Sequence, residues 1–278
     1  MRHTFCAAPP TTDWPGVATS ARSFALIVCV SSHDARSWGS LHQKDADGQR
    51  TKPEQAAFDT ALKTMNTWYA HRLTTTVILS ELPPGWPPAE AAPFFPEGWL
   101  RGKGWPSFER AVSGMIKRGS DYSFRRIVDP AVPRGVVGGY RAPPMHPREF
   151  AAELSRKVFT NGADCEKVAR QYADAFGAAL GEAQMLEFRD LEWKDEDAEA
   201  FAKVLPLLRR VETLDLSFNK IGTRGFAALA AAIREGAAEK LKLFVFNSPY
   251  VGDSPALKEA CKARKISTPS VVSEFGCV

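Results

Sequence analysis

A repeat of 28 residues constrains the fold of this chain more than any other feature of its sequence. The second copy is the stretch 211–236, VETLDLSFNKIGTRGFAALAAAIREG. Six apolar residues of the first copy match apolar residues of the second copy at this offset. In the first copy they are Leu186, Phe188, Trp193, Phe201, Ala202 and Leu205. Their counterparts in the second copy, in the same order, are Leu214, Leu216, Ile221, Leu229, Ala230 and Ile233. Alternating leucines predict a short strand, and the later spacing predicts a helix. One such unit cannot bury its own apolar face, so the sequence predicts stacked units.

A third unit follows with less regular spacing. Leu243 and Val245 match the strand leucines of the second unit at an offset of 29, which predicts that these two side chains point inward. Phe244 and Phe246 are then predicted to point outward. An outward aromatic pair is typical of a partner-binding patch, and the alternative is that the C-terminal tail covers it. The outward strand positions are the candidate partner-binding residues: Glu187, Arg189, Asp215, Ser217, Phe244 and Phe246.

The strand, the turn at Asn219 and the helix resemble a leucine-rich repeat of the ribonuclease-inhibitor class over residues 186–266. The first unit departs from this pattern, since Leu191 stands where the second unit has Asn219. The resemblance implies a short solenoid whose strands line a concave face and whose helices line a convex one. It also implies a non-catalytic protein that binds other proteins, although the sequence identifies no partner.

The first half of the chain predicts a parallel sheet with helices on its faces. Apolar, β-branched runs at 24–30, 74–79 and 124–128 predict strands. Between them, the capping-box pair Thr51 and Glu54 precedes one amphipathic helix, and a second helix begins near Pro106. Alternating strands and helices favour an α/β fold.

Two short motifs in this half resemble a TIR-type domain. The sequence WPSFE at 105–109 keeps the tryptophan and glutamate of the family's W-C-x-x-E motif, with proline in place of cysteine, and DAR at 34–36 resembles the D-x-R after its first strand. In enzymatic members, the motif glutamate helps to cleave the nicotinamide glycosidic bond of NAD. The resemblance implies that role for Glu109, because a carboxylate stabilises an oxocarbenium-type transition state. The alternative is that Glu109 only stabilises the first turn of a helix.

The same half also resembles an uncharacterised eukaryotic family that is often followed by leucine-rich repeats. That family has an S-L-x-Q…R-T…E…F segment, matched here by SLHQ at 40–43, Arg50, Thr51, Glu54 and Phe58, and an R-G-W-x-x-F-E helix start. Two extra residues interrupt the second motif before Trp105. The strand expected just before the SLHQ segment is not evident in the sequence, which indicates a degenerate or truncated domain. A third alternative for the function is therefore a truncated relative whose first domain has lost its ancestral role.

Proline and glycine clusters divide the chain, and two helices predicted before the repeats are placed to cap the first of them. The fold class is thus α/β: an N-terminal parallel-sheet domain, TIR-like or degenerate, a helical cap and a short leucine-rich repeat solenoid. The predicted boundaries are a disordered N-terminus at 1–21, the α/β domain at 22–128, a linker at 129–147, the helical cap at 148–185, and the repeats with their C-terminal cap at 186–278. Whether residues 1–23 are a cleaved targeting peptide stays open.

Composition narrows the functional classes. A net charge of +4 is too small to indicate nucleic-acid binding, and no apolar run approaches the roughly 20 residues of a membrane-spanning helix. The 5 cysteines are scattered and form no CxxC pair, which favours reduced thiols in the cytoplasm. No histidine has metal-ligand spacing. We therefore expect neither a metal nor a cofactor, with NAD as a substrate only under the TIR-like alternative.

Overall fold

The computed structural model describes residues 26–29, 45, 47–71, 75–78, 102–117, 127–128, 140–159, 162–246 and 254–269. Several predictions concern parts of the chain outside these residues. They are the disordered or cleaved N-terminus, the DAR and SLHQ motifs, residues 129–139 of the predicted linker and the end of the C-terminal tail.

The first half contains a three-stranded parallel sheet, as predicted. Its elements are β1 (Leu26–Cys29), α1 (Lys52–Ala70), β2 (Thr75–Ile78), α2 (Gly104–Gly114) and β3 (Ile127–Val128). The strand order is β1–β2–β3, with Leu26 opposite Thr75 and Thr76 opposite Ile127. The predicted capping box forms at the start of α1, where the Thr51 N–H donates to Glu54 Oε2 at 2.9 Å.

Two helices lie between the sheets, namely α3 (Pro147–Leu154) and α4 (Asp164–Phe176). A π-helical turn at Gly177–Gly181 follows the second of these helices directly. Asp164 is the first residue of α4, and its Oδ2 accepts a hydrogen bond from Trp105 Nε1 at 3.1 Å. This bond joins α4 to α2, and α4 also packs against α1.

The last third forms a second parallel sheet, β4 (Met185–Glu187), β5 (Thr213–Asp215) and β6 (Leu243–Val245). A helix follows each strand: α5 (Asp195–Ala202), α6 (Thr223–Arg234) and α7 (Pro255–Ala263). Leu186 lies opposite Leu214, which is the pairing that the 28-residue offset predicts. All six pairs of matched apolar residues are buried.

The orientation predicted for β6 is wrong. Phe244, and not Leu243, lies opposite Leu214, so the offset between these two strands is 30 residues and not 29. Phe244 and Phe246 are 0% and 3% exposed, while Leu243 and Val245 are only partly buried. The Phe246 ring packs 5.7 Å from Phe226 and 5.3 Å from Phe244. Burying two phenyl rings removes more apolar area from water than burying Leu and Val, which favours the observed orientation.

Glycine at 225 is required by the close approach of α5 and α6. The Asp195 carboxylate of α5 accepts hydrogen bonds from the N–H groups of Gly222 and Gly225, at 2.6 and 2.9 Å. A Cβ at position 225 would lie 2.8 Å from Asp195 Oδ1 and 2.8 Å from the Ala198 methyl group. The first turn of α6 is therefore stabilised by the Asp195 carboxylate of the preceding unit and not by a side chain of α6 itself.

We predict that Gly225→Ala lowers the free energy of unfolding by about 1–3 kcal/mol, because the added methyl group has no space. Gly177→Ala is the matched control: a Cβ there meets no atom within 4 Å, and the residue is helical. The control should raise stability by about 0.5–1 kcal/mol. Urea unfolding followed by circular dichroism measures both, and equal stabilities for the two variants would contradict the packing argument.

Candidate functional site

One face of the second sheet is buried and the other is open. Leu186, Leu214 and Phe244 form the central row of the buried face. The opposite face, here called the open strand face, consists of two rows of side chains. These rows are Met185, Thr213 and Leu243, then Glu187, Asp215 and Val245.

The open strand face combines carboxylates with apolar groups. Glu187 and Asp215 are opposite each other on adjacent strands, which lie about 4.8 Å apart in a sheet. Asp215 Oδ1 accepts a hydrogen bond from the Ser217 N–H at 2.8 Å, which holds that carboxylate in place. Apolar groups flank the carboxylates: Met185 is 57% exposed at one side, and Leu243 and Val245 lie on β6. Such a surface can bind a cation that lies beside an apolar side chain.

The predicted partner-binding residues divide into two groups. Glu187 and Asp215 belong to the open strand face, and Arg189 lies beside it with its guanidinium carbon 5.0 Å from the Phe218 ring centre. Phe244 and Phe246 are in the core, and Ser217 is 1% exposed, so the outward orientation predicted for these three is wrong. Ser217 turns inward because the strand has already ended at Asp215 and the chain bends there.

The sequence analysis missed four residues of this face: Met185, Thr213, Leu243 and Val245. A signal for two of them was present, since Met185 and Thr213 are also 28 residues apart and directly precede matched leucines. No comparable signal existed for Leu243 and Val245, because all four residues of the LFVF segment at 243–246 are apolar. The pattern of apolar residues therefore does not show which side chains of this segment face the core.

The Asn219 side chain supports the turns behind this face. Its Oδ1 accepts hydrogen bonds from the N–H groups of Leu191 and Trp193, at 3.0 and 3.1 Å. Its Nδ2 donates to the carbonyl oxygens of Phe188 and Leu216, at 2.7 and 2.8 Å. Asn219 is 1% exposed, so a single buried amide satisfies polar groups in two successive units.

Ion pairs also join successive units at the repeat offset. Among the described residues, three of them connect side chains 28 apart: Glu182 with Arg210, Glu192 with Lys220, and Glu196 with Arg224. Arg224 also contacts Glu199. These side chains are exposed, so each pair contributes little alone. Their common spacing nevertheless shows that the same edge of each unit faces the next one.

Glu109, the candidate catalytic carboxylate, lies in a buried polar seam of the first half. It is 3% exposed and accepts a hydrogen bond from the Tyr69 hydroxyl at 3.0 Å. Ser113 lies one turn after Glu109 on α2. Lys117 lies three residues beyond the end of this helix, and its Nζ donates to the carbonyl oxygens of Tyr69 and Ser113. A carboxylate in this setting joins α2 to α1, and its burial leaves little of it accessible to a substrate.

Three further features concern the described part of the chain. It contains no group of three or more His, Cys, Asp or Glu side chains that could hold a metal ion. None of its helices combines the length and apolar composition needed to span a bilayer. Cys165 and Cys261 are free thiols, and burial raises the pKa of Cys261 to about 11.

Comparison of the chain with protein-family models and with curated proteins finds no match.

Asn219→Ala should lower the free energy of unfolding by about 3 kcal/mol, since four backbone groups lose their partner. Gln184→Ala is the control, because Gln184 is exposed and only its backbone carbonyl is hydrogen-bonded to the next unit. That change should stay within about 0.5 kcal/mol of wild type. Chemical denaturation of both variants tests the difference, and a loss below 1 kcal/mol for Asn219→Ala, roughly the value of one ordinary hydrogen bond, would argue against the role of this amide.

Proposed function

We propose that this protein is a non-catalytic interaction protein whose last third is a short leucine-rich repeat array. Three parallel strands, each followed by a helix, support this proposal, as does the buried asparagine that joins two turns. The repeats are of the ribonuclease-inhibitor type, and the open strand face is their concave, partner-binding surface.

The observation that carries the proposal is the difference between the two faces of the second sheet. One face is fully packed, while Met185, Leu243 and Val245 keep apolar surface available beside two carboxylates. Exposed apolar groups next to fixed charges are typical of protein-binding surfaces. The partner is then a protein segment that presents Lys or Arg beside an apolar side chain.

The alternative proposal is a TIR-like NAD glycohydrolase or signalling domain that uses Glu109. It rests on the motif at 105–109 and on DAR at 34–36, and only the first of these lies within the described residues. The hydrogen bond from Tyr69 and the burial of Glu109 favour a role in packing instead. Trp105, the other motif residue, donates its indole N–H to Asp164. Both motif side chains are thus engaged within the protein.

A charge reversal tests the interaction surface. The double variant Glu187→Lys/Asp215→Lys should lose binding to peptides selected by the wild-type protein from a displayed library, by at least about tenfold in Kd. The control is Glu235→Lys/Glu239→Lys, since both of these glutamates are exposed and lie after α6, away from the open strand face. Unchanged Kd in the first variant, or equal losses in both, would contradict the proposal.

A second experiment separates the two proposals. We predict that Glu109→Ala lowers the free energy of unfolding by about 1–3 kcal/mol, because Tyr69 loses its buried acceptor. NAD consumption by purified wild-type and variant protein should be equal and at background. Faster consumption by wild type that disappears in Glu109→Ala would instead establish the enzymatic alternative.

A further inference from the structure

Arg141 lies between the two halves of the chain and is held there by its backbone. Its carbonyl oxygen accepts a hydrogen bond from Trp193 Nε1 at 2.7 Å, and its N–H points to the Leu191 carbonyl oxygen at 3.5 Å. Its side chain passes Gly114 at the end of α2, where a Cβ would lie 3.4 Å from Arg141 Cδ. The guanidinium group is therefore placed where α2 meets the turn after β4.

The guanidinium group has a free edge. Within the described residues, Arg141 Nε and Nη2 are buried and have no hydrogen-bond partner. The Phe188 ring centre is 5.9 Å from Arg141 Cζ, at the outer limit of a cation–π contact. Nε and Nη2 together form the fork that binds two oxygens of a carboxylate or phosphate group.

No described side chain neutralises this charge. Tyr140 beside it binds Asp197 Oδ1 through its hydroxyl at 2.7 Å, and Asp197 Oδ2 accepts from the Lys194 N–H. Both oxygens of that carboxylate are thus occupied. Burial lowers the pKa of Arg141 to about 9, so the group is still charged at neutral pH.

We infer that Arg141 is the binding group for a small oxyanion, a carboxylate or a phosphate, where α2 meets the turn after β4. A buried cation without a partner is costly, and a bound anion removes that cost by taking both donors of the fork. Binding would also strengthen the junction between the two halves, because Arg141 contacts both of them. A water molecule could satisfy the donors as well, but it would not neutralise the charge.

Thermal unfolding in matched ionic strength tests this inference on the full-length protein. The probes are sodium phosphate and sodium acetate, each compared with sodium chloride, so the two arms distinguish a tetrahedral from a planar oxyanion. We expect a saturable rise in Tm of about 3 °C or more with one of them. If neither phosphate nor acetate gives a saturable rise in Tm that is larger than the rise with chloride, the inference is overturned.

Three variants separate a specific site from general ion effects. Arg141→Met should abolish the rise, and Arg141→Lys should weaken it because lysine keeps the charge without the fork. Arg209→Met is the matched control, since Arg209 is exposed and lies after the first unit; it should keep the full rise. Equal rises in wild type and Arg141→Met would refute the assignment. If Arg141→Met does not fold, an undiminished rise in Arg141→Lys would also overturn it.

Discussion

The last third of this protein depends on one buried amide. Strands of three residues form few ladder hydrogen bonds, so the turns that follow them must satisfy their polar groups in another way. Asn219 does this for two units, because its Oδ1 and Nδ2 contact backbone groups on both sides. The spacing of the first two units follows from that contact. A different distance between the turns would leave buried N–H or carbonyl groups without partners, at about 1–3 kcal/mol for each group.

The repeat offset predicted the structure well where the chain keeps it. The pairing of Leu186 with Leu214 and the burial of the matched residues follow directly from the 28-residue spacing. Glu182 and Arg210 are also 28 residues apart, as are Glu196 and Arg224, and each of these two pairs forms an ion pair. Both ion pairs could therefore have been predicted from the sequence by comparing the two copies at this offset. A repeat therefore predicts the contacts between units as well as the core within each unit.

Prediction failed where the local sequence allowed two solutions. The segment from Leu243 to Phe246 is apolar at every position, so alternation cannot say which side chains are inside. The structure resolves this through the length of the second unit, because paired residues of β5 and β6 are 30 positions apart and those of β4 and β5 are 28 apart. The chain before β6 includes Ala238 at a φ of 48°. Glu109 and Arg141 could not be placed either, because their surroundings come from distant segments. Glu109 faces Tyr69, 40 residues earlier, and Arg141 packs near Phe188.

The helices between the two sheets belong to both halves. They are predicted to cap the repeats, yet α4 packs on α1 and α2, and Lys103 forms a parallel bridge with Val158 just after α3. One apolar core runs from Tyr69 to Ile266. A continuous core resists independent motion of its parts, because separating them would expose apolar surface. The open strand face is therefore held in a fixed position relative to α1 and α2. A partner that binds this face and also reaches α2 would recognise both halves together.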